Sequence, residues 1–119
     1  MGKVGSLLIV EDEPVLRRCL EFHFCSRGMD VSVAGSLSEA RSLIKAADFD
    51  VALLDVGLPD GDGLSLLSSL SVDRSVVITA NPDFERFETL GVKHVVPKPL
   101  DLDIVARVVE GLAVASSGN

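Results

Sequence analysis

Polar residues interrupt this chain where its aliphatic runs end. LLIV (7–10) gives way to Glu11 and Asp12, VALL (51–54) ends on Asp55, SVVI (75–78) on Thr79, and HVV (94–96) leads through Pro97 to Lys98. An acid at the edge of an apolar run is costly unless something compensates it, so Asp55 needs a partner or a task. Three carboxylates brought together would repel and resist ionising at once. A divalent cation removes that conflict, and an all-oxygen ligand set, with no His or Cys at metal spacing, favours Mg2+ over zinc or copper. Mg2+ held by a few carboxylates and several waters is also the usual setting for a phosphoryl group. Lys98 then supplies a positive charge and Thr79 a hydrogen-bond donor for phosphoryl oxygens. Asp55 has the chemistry of a nucleophile.

Such convergence requires elements that carry distant residues to one edge. LLIV reads as a first strand, and Pro14 opens a helix over residues 14–26, whose apolar face runs through Val15, Leu16, Cys19, Leu20, Phe22 and Phe24 to a stop at Gly28. VSVA (31–34) is the second strand. Ser36 and Glu39 form an S-x-x-E capping pattern ahead of a helix over about residues 37–47. VALLD (51–55) is the third strand; a Gly- and Pro-rich loop follows, then a helix near residues 63–70. Residues 75–80 form the fourth strand. A short helix after Asn81, Pro82 and Asp83 ends at Gly91, and residues 94–96 form the fifth strand. Leu102, Val105, Val108, Val109 and Leu112 space a last helix over residues 101–113, leaving residues 114–119 as a tail or the start of a linker.

Strand and helix alternate five times, and the strands are continuous aliphatic runs, the pattern of a parallel sheet covered on both faces. The expected fold is a doubly wound α/β sandwich of one domain, residues 1–119 with a core over about 5–113. Its chemistry gathers at the carboxyl edge of the sheet, where strand order reverses. Of the five strands, only the second ends without a chemically suggestive residue.

The composition is 47% hydrophobic and 24% charged, as in globular chains, and no apolar run reaches a membrane-spanning length. MGKVGSLLIV lacks the regions of a signal peptide, so a cytoplasmic location is expected. A net charge of -7 argues against direct nucleic-acid binding. Cys19 and Cys25 fall on different faces of one helix, which favours neither a disulfide nor a metal pair. His23 and His94 read as structural, and the Phe84, Phe87 pair as core packing or part of a docking face.

Over residues 5–113 this arrangement resembles the receiver domain of two-component response regulators. The family's acidic pair matches Glu11 and Asp12, its phosphoacceptor Asp55, its Thr/Ser position Thr79 followed by Ala80, and its Lys-Pro step Lys98 and Pro99. DVGLPDGDG resembles the family's loop, with Pro59 and Gly63 in the expected places. The resemblance implies strand order 2-1-3-4-5, a cis Lys98–Pro99 bond, and transfer of a phosphoryl group onto Asp55 from a sensor histidine kinase or phosphotransfer protein. It further implies Mg2+ bound by Asp12, Asp55 and the Gly57 carbonyl, with Glu11 acting through water and Lys98 pairing with the phosphoryl group. Thr79 would move toward that group and switch binding to a downstream output domain or target protein; a weak homodimer is compatible with the family.

The chain departs from the family in two places. Val95 stands where the family commonly carries an aromatic, so the signal is expected to travel by backbone movement over residues 80–90. The Asp55–Thr79 and Thr79–Lys98 intervals are also short, which predicts a shortened fourth helix. The alternative is a degenerate receiver, a docking module that is never phosphorylated. A haloacid-dehalogenase-type phosphatase needs a second acid two residues after its nucleophile, where this chain has Gly57. The glycines also fit neither a P-loop nor a dinucleotide-binding fingerprint.

Overall fold

The computed structural model describes residues 5–117. Five parallel strands form the main sheet: β1 (Ser6–Val10), β2 (Asp30–Ala34), β3 (Val51–Asp55), β6 (Ser75–Thr79) and β7 (His94–Pro97), in the order β2-β1-β3-β6-β7. This is the expected 2-1-3-4-5 order once two short strands, β4 (Gly57–Leu58) and β5 (Gly61–Asp62), are set apart as an antiparallel hairpin. The helices are α1 (Pro14–Ser26), α2 (Leu37–Ala46), α3 (Phe84–Leu90) and α4 (Leu102–Ser117).

Alternation along the strands divides the core between the two faces. Leu7, Ile9, Leu53, Val76 and Ile78 pack with Leu20 and Phe24 of α1 and with Val105, Ala106 and Val109 of α4. Leu8, Val10, Ala52 and Leu54 meet Leu37 and Ala40 of α2 on the opposite face. Each buried Leu or Ile contributes about 1.5–3 kcal/mol, so the sheet is a rigid base for whatever leaves its edge.

Local signals set the helix starts. Pro14 begins α1, and the Glu13 carboxylate accepts from the amides of Val15 (3.2 Å) and Leu16 (2.7 Å). Ser36 Oγ caps α2 through the Glu39 amide at 3.2 Å. The Glu39 carboxylate, however, reaches past the cap to the Gly35 amide at 2.6 Å. Asp83 caps α3, and Gly91 ends it in the left-handed region at φ 80°.

Two expectations change. The helix predicted near residues 63–70 is a 3-10 helix over Gly63–Ser68. Its serines offer the backbone competing bonds: Ser65 Oγ donates to the Asp62 carbonyl (2.8 Å) and Ser68 Oγ to the Ser65 carbonyl (3.0 Å). At the other end, α4 runs on to Ser117 and takes in much of the predicted tail. Ala113 is fully buried beside it, which keeps the apolar stripe going past Leu112. Residues 1–4, part of the stretch read against a signal peptide, and Gly118 and Asn119 lie outside the described residues.

Candidate functional site

Register brings the chemically suggestive residues to one edge. Val10 pairs with Leu54 across β1 and β3, so Glu11 and Asp12 emerge beside Asp55. Asp55 pairs with Ile78, which puts Thr79 one step beyond it on β6, and Thr79 pairs with Pro97, just before Lys98. The ladder extends past both ends: the Glu11 amide donates to the Ala34 carbonyl (3.0 Å) and the Lys98 amide to the Thr79 carbonyl (2.8 Å). The crevice between β1 and β3 is the point where strand order reverses.

Glu11 is fully buried and Asp55 nearly so, whereas Asp12 faces solvent. One carboxylate oxygen from each of Glu11, Asp12 and Asp55 lies within 4.8 Å of the other two. Lys98 Nζ stands 2.9 Å from Glu11 Oε1 and 3.4 Å from Asp55 Oδ1. Glu11 Oε2 accepts from the Glu13 amide at 3.0 Å, while the buried Oε1 is matched by the Lys98 ammonium. Burial, and after it the Glu11 charge, pushes the Asp55 carboxyl up to about 6 against the pull of Lys98. Burial alone would lower Lys98, yet its contacts with Glu11 and then Asp55 outweigh that and hold the ammonium above its ordinary value.

Crowded carboxylates and a carboxyl that resists ionising despite Lys98 mark a site short of positive charge. Its donors are hard oxygens, which fits Mg2+. Thr79 is buried at the same edge, and its Oγ1 accepts from the Asn81 amide at 3.1 Å. Gly57 opens β4 with nothing within 4 Å of where a side chain would begin. The Lys98–Pro99 bond is cis.

The response regulator receiver domain family matches residues 7–110. The chain belongs to this family. Among curated relatives, the transcriptional activator protein PfeR of Pseudomonas aeruginosa is 38% identical over 102 residues, 81% of this chain and 33% of its own length. The TorCAD operon transcriptional regulatory protein TorR of Escherichia coli K12 is 38% identical over 110 residues, 86% of this chain and 47% of its own. This receiver thus spans a third to a half of those relatives. The Francisella response regulator 1452 receiver domain matches with a TM-score of 0.83 at 24% identity, over 94% of this chain and 98% of that one. A CheY-like receiver domain protein from Methanospirillum hungatei JF-1 matches with a TM-score of 0.82 at 23% identity, over the whole of both chains. These two likenesses carry the fold. No helix among the described residues is long and apolar enough to cross a membrane.

Other residues around the receiver's site escaped the sequence reading. Asp60 accepts from the amides of Leu37 (2.8 Å) and Ser38 (3.1 Å), tying the hairpin to the start of α2. Asp62 caps the 3-10 helix through the Leu64 amide and pairs with Arg86 of α3. Aspartates among glycines are cap and turn residues, but nothing in the sequence names their partners. Val95 is half-buried beside Leu64, Val77 and Phe87, so the ring in its cluster comes from α3. Phe87 is 3% exposed and Phe84 67%, edge to face at 6.2 Å. Cys19 and Cys25 are free and exposed.

Proposed function

We propose that this receiver takes a phosphoryl group onto Asp55 from a phosphohistidine of a sensor kinase or phosphotransfer protein. The observation that carries the reading is the convergence of Glu11, Asp12 and Asp55 within 4.8 Å, faced by Lys98. An Asp55 oxygen forms the new O–P bond as the N–P bond to the histidine breaks, and the imidazole nitrogen leaves with the electron pair. Asp12, Asp55 and the Gly57 carbonyl would hold Mg2+, with Glu11 acting through water, and the ion would supply the positive charge that carboxylates and phosphoryl oxygens need in order to approach. Lys98 exchanges its present carboxylate contacts for a phosphoryl oxygen. Thr79 Oγ1 turns from the Asn81 amide to donate to another.

Release of that amide loosens the start of the segment leading to α3. The pre-existing balance between inactive and active arrangements of α3, β7 and α4 then shifts, and with it binding of an output domain or target protein. The chain acts as one receiver unit in the cytoplasm. Its net charge of -7 leaves any contact with nucleic acid to another domain. Intact mass after incubation with Mg2+ and a small phosphodonor tests the reading: one phosphoryl adduct is expected, absent from Asp55→Asn. Failure of the unsubstituted chain to form it would make the receiver a docking module.

A further inference from the structure

The two acids that follow β1 carry much of the site's negative charge, yet the strand ladder ends at the Glu11 amide. Beyond it, one side chain takes the carbonyls of both Glu11 and Asp12. Arg17 Nη1 donates to the Glu11 carbonyl at 3.0 Å and to the Asp12 carbonyl at 3.3 Å. Arg17 lies in the first turns of α1, where its amide bonds to the Glu13 carbonyl at 2.9 Å. The guanidinium thus folds back over the Glu11–Glu13 turn and ties its two peptide planes to the helix that follows.

The guanidinium can lie there because the chain carries no side chain at Gly35, just after β2. A Cβ at Gly35 would come within 2.7 Å of Arg17 Nη1 and 3.4 Å of its Cζ. The backbone at Gly35 has no positive φ, so conformation does not demand glycine. What it leaves is room beside the acidic pair, on the side opposite Asp55. The Glu39 carboxylate, bonded to the Gly35 amide at 2.6 Å, borders the same gap.

We propose that Arg17 is a positioning residue for the acidic pair, holding the Glu11 and Asp12 carbonyls so that both carboxylates aim at the cation site, and that Gly35 is the notch admitting its guanidinium. The proposal rests on the phosphoacceptor reading and adds to it residues that touch neither phosphate nor metal. Groups that orient ligands without coordinating matter because a carboxylate turned away contributes little to binding.

Gly35→Ala tests this cleanly. The atom it displaces is the far end of a flexible side chain, so the fold survives, and the positive charge of Arg17 is kept. Arg17→Met removes the fork with its charge, and Arg17→Lys keeps the charge but offers one compact ammonium in place of the planar fork. Mg2+ affinity should fall roughly tenfold in Arg17→Met and in the same direction in Gly35→Ala, with partial recovery in Arg17→Lys. The double variant Arg17→Met with Gly35→Ala should be no worse than Arg17→Met alone, because both changes remove one contact. In the metal-free proteins, both single variants should move the carbonyl carbon resonances of Glu11 and Asp12 while the unfolding midpoint stays near that of the unsubstituted chain. Unchanged or tighter Mg2+ binding in Gly35→Ala, or additive losses in the double variant, overturns the proposal. An unsubstituted chain that binds no Mg2+ overturns the phosphoacceptor reading, and this inference with it.

Discussion

The Lys98 ammonium stands nearer to Glu11, at 2.9 Å, than to Asp55, at 3.4 Å, although Glu11 is the acid fully hidden from solvent. In the metal-free receiver Lys98 is therefore the counter-charge of a buried carboxylate. Removing one member of such a pair strands the other. Lys98→Met should destabilise the metal-free protein by about 2 kcal/mol, below the cost of a fully buried pair because the Lys98 side chain retains 23% exposure. Mg2+ should narrow the gap by replacing the lost charge. Urea unfolding with and without Mg2+ measures both quantities, and a gap that does not change with metal would separate Lys98 from the cation site.

Asp55 sets a second dependence, on pH. Folded Asp55 keeps its proton up to about 6, whereas the unfolded chain releases it near the ordinary 3.8. Between those values the folded state binds more protons, so the stability from this group is full below 3.8 and is lost as pH rises through 6. Asp55→Asn should then stabilise the metal-free protein above that window by about 1–2 kcal/mol, a value trimmed for solvent access, with the gain vanishing below it. Mg2+ should stabilise the unsubstituted chain more at the alkaline end, since its ligand must be deprotonated. Thermal unfolding across pH, with and without the metal, follows both trends.

The strand-end acids were legible because short continuous aliphatic runs such as VALL, alternating with helical patterns and bounded by turn residues, read as buried parallel strands, and a charge at their end has to face the sheet edge. Order along the chain then sufficed to bring Asp12, Asp55 and Lys98 together, since parallel strands present all their carboxyl ends on one side. What the sequence hid depends on side-chain direction rather than spacing. Nothing in the spacing of Arg17 or Asp60 announces a role; only the folded geometry reveals that one grips two carbonyls and the other caps α2. The 3-10 helix after Gly63 was obscured because a short run of Leu and Ser fits either helix type, and the choice was settled by hydroxyl-to-carbonyl bonds. The turn between β4 and β5 is Pro59–Asp60, followed by Gly61 at φ 147°, and Pro-Asp-Gly is itself a turn signal that the loop reading passed over.

Two glycines of the loop after Asp55 should respond in opposite ways. A Cβ at Gly63 would sit 1.8 Å from the Asp55 carbonyl oxygen, whereas one at Gly57 would meet nothing within 4 Å. The Gly63 amide also bonds to the Val56 carbonyl at 2.8 Å, so the clash cannot be relieved without moving the backbone that carries Asp55. Gly63→Ala should cost about 3 kcal/mol, the upper end for overpacking, and weaken Mg2+ binding. Gly57→Ala should fold normally and keep its Mg2+ affinity, because the ligand assigned there is a backbone carbonyl. Side-by-side denaturation and metal titration decide; equal losses in the two variants would mean that this loop contributes through general flexibility and not through that close approach.

Phe87 offers the sharpest test of how a change at Asp55 reaches the surface. It is the buried side chain of α3, a helix of seven residues, too short to persist in water by itself. It packs with Val77 of β6, two residues before Thr79, and with Val95 of β7, where no aromatic is present to swing. Phe87→Ala should cost about 3 kcal/mol and speed amide exchange through α3. Phe84→Ala, at a ring 67% exposed, should cost well under about 1 kcal/mol. The functional consequence is separable from the structural one: with the phosphodonor, Phe87→Ala should still acquire its adduct on Asp55. The accompanying resonance shifts should then stop at Thr79 and Asn81 instead of spreading into α3. Shifts that cross α3 undiminished in this variant would show that the signal runs through the backbone of residues 80–90 without using the packed ring.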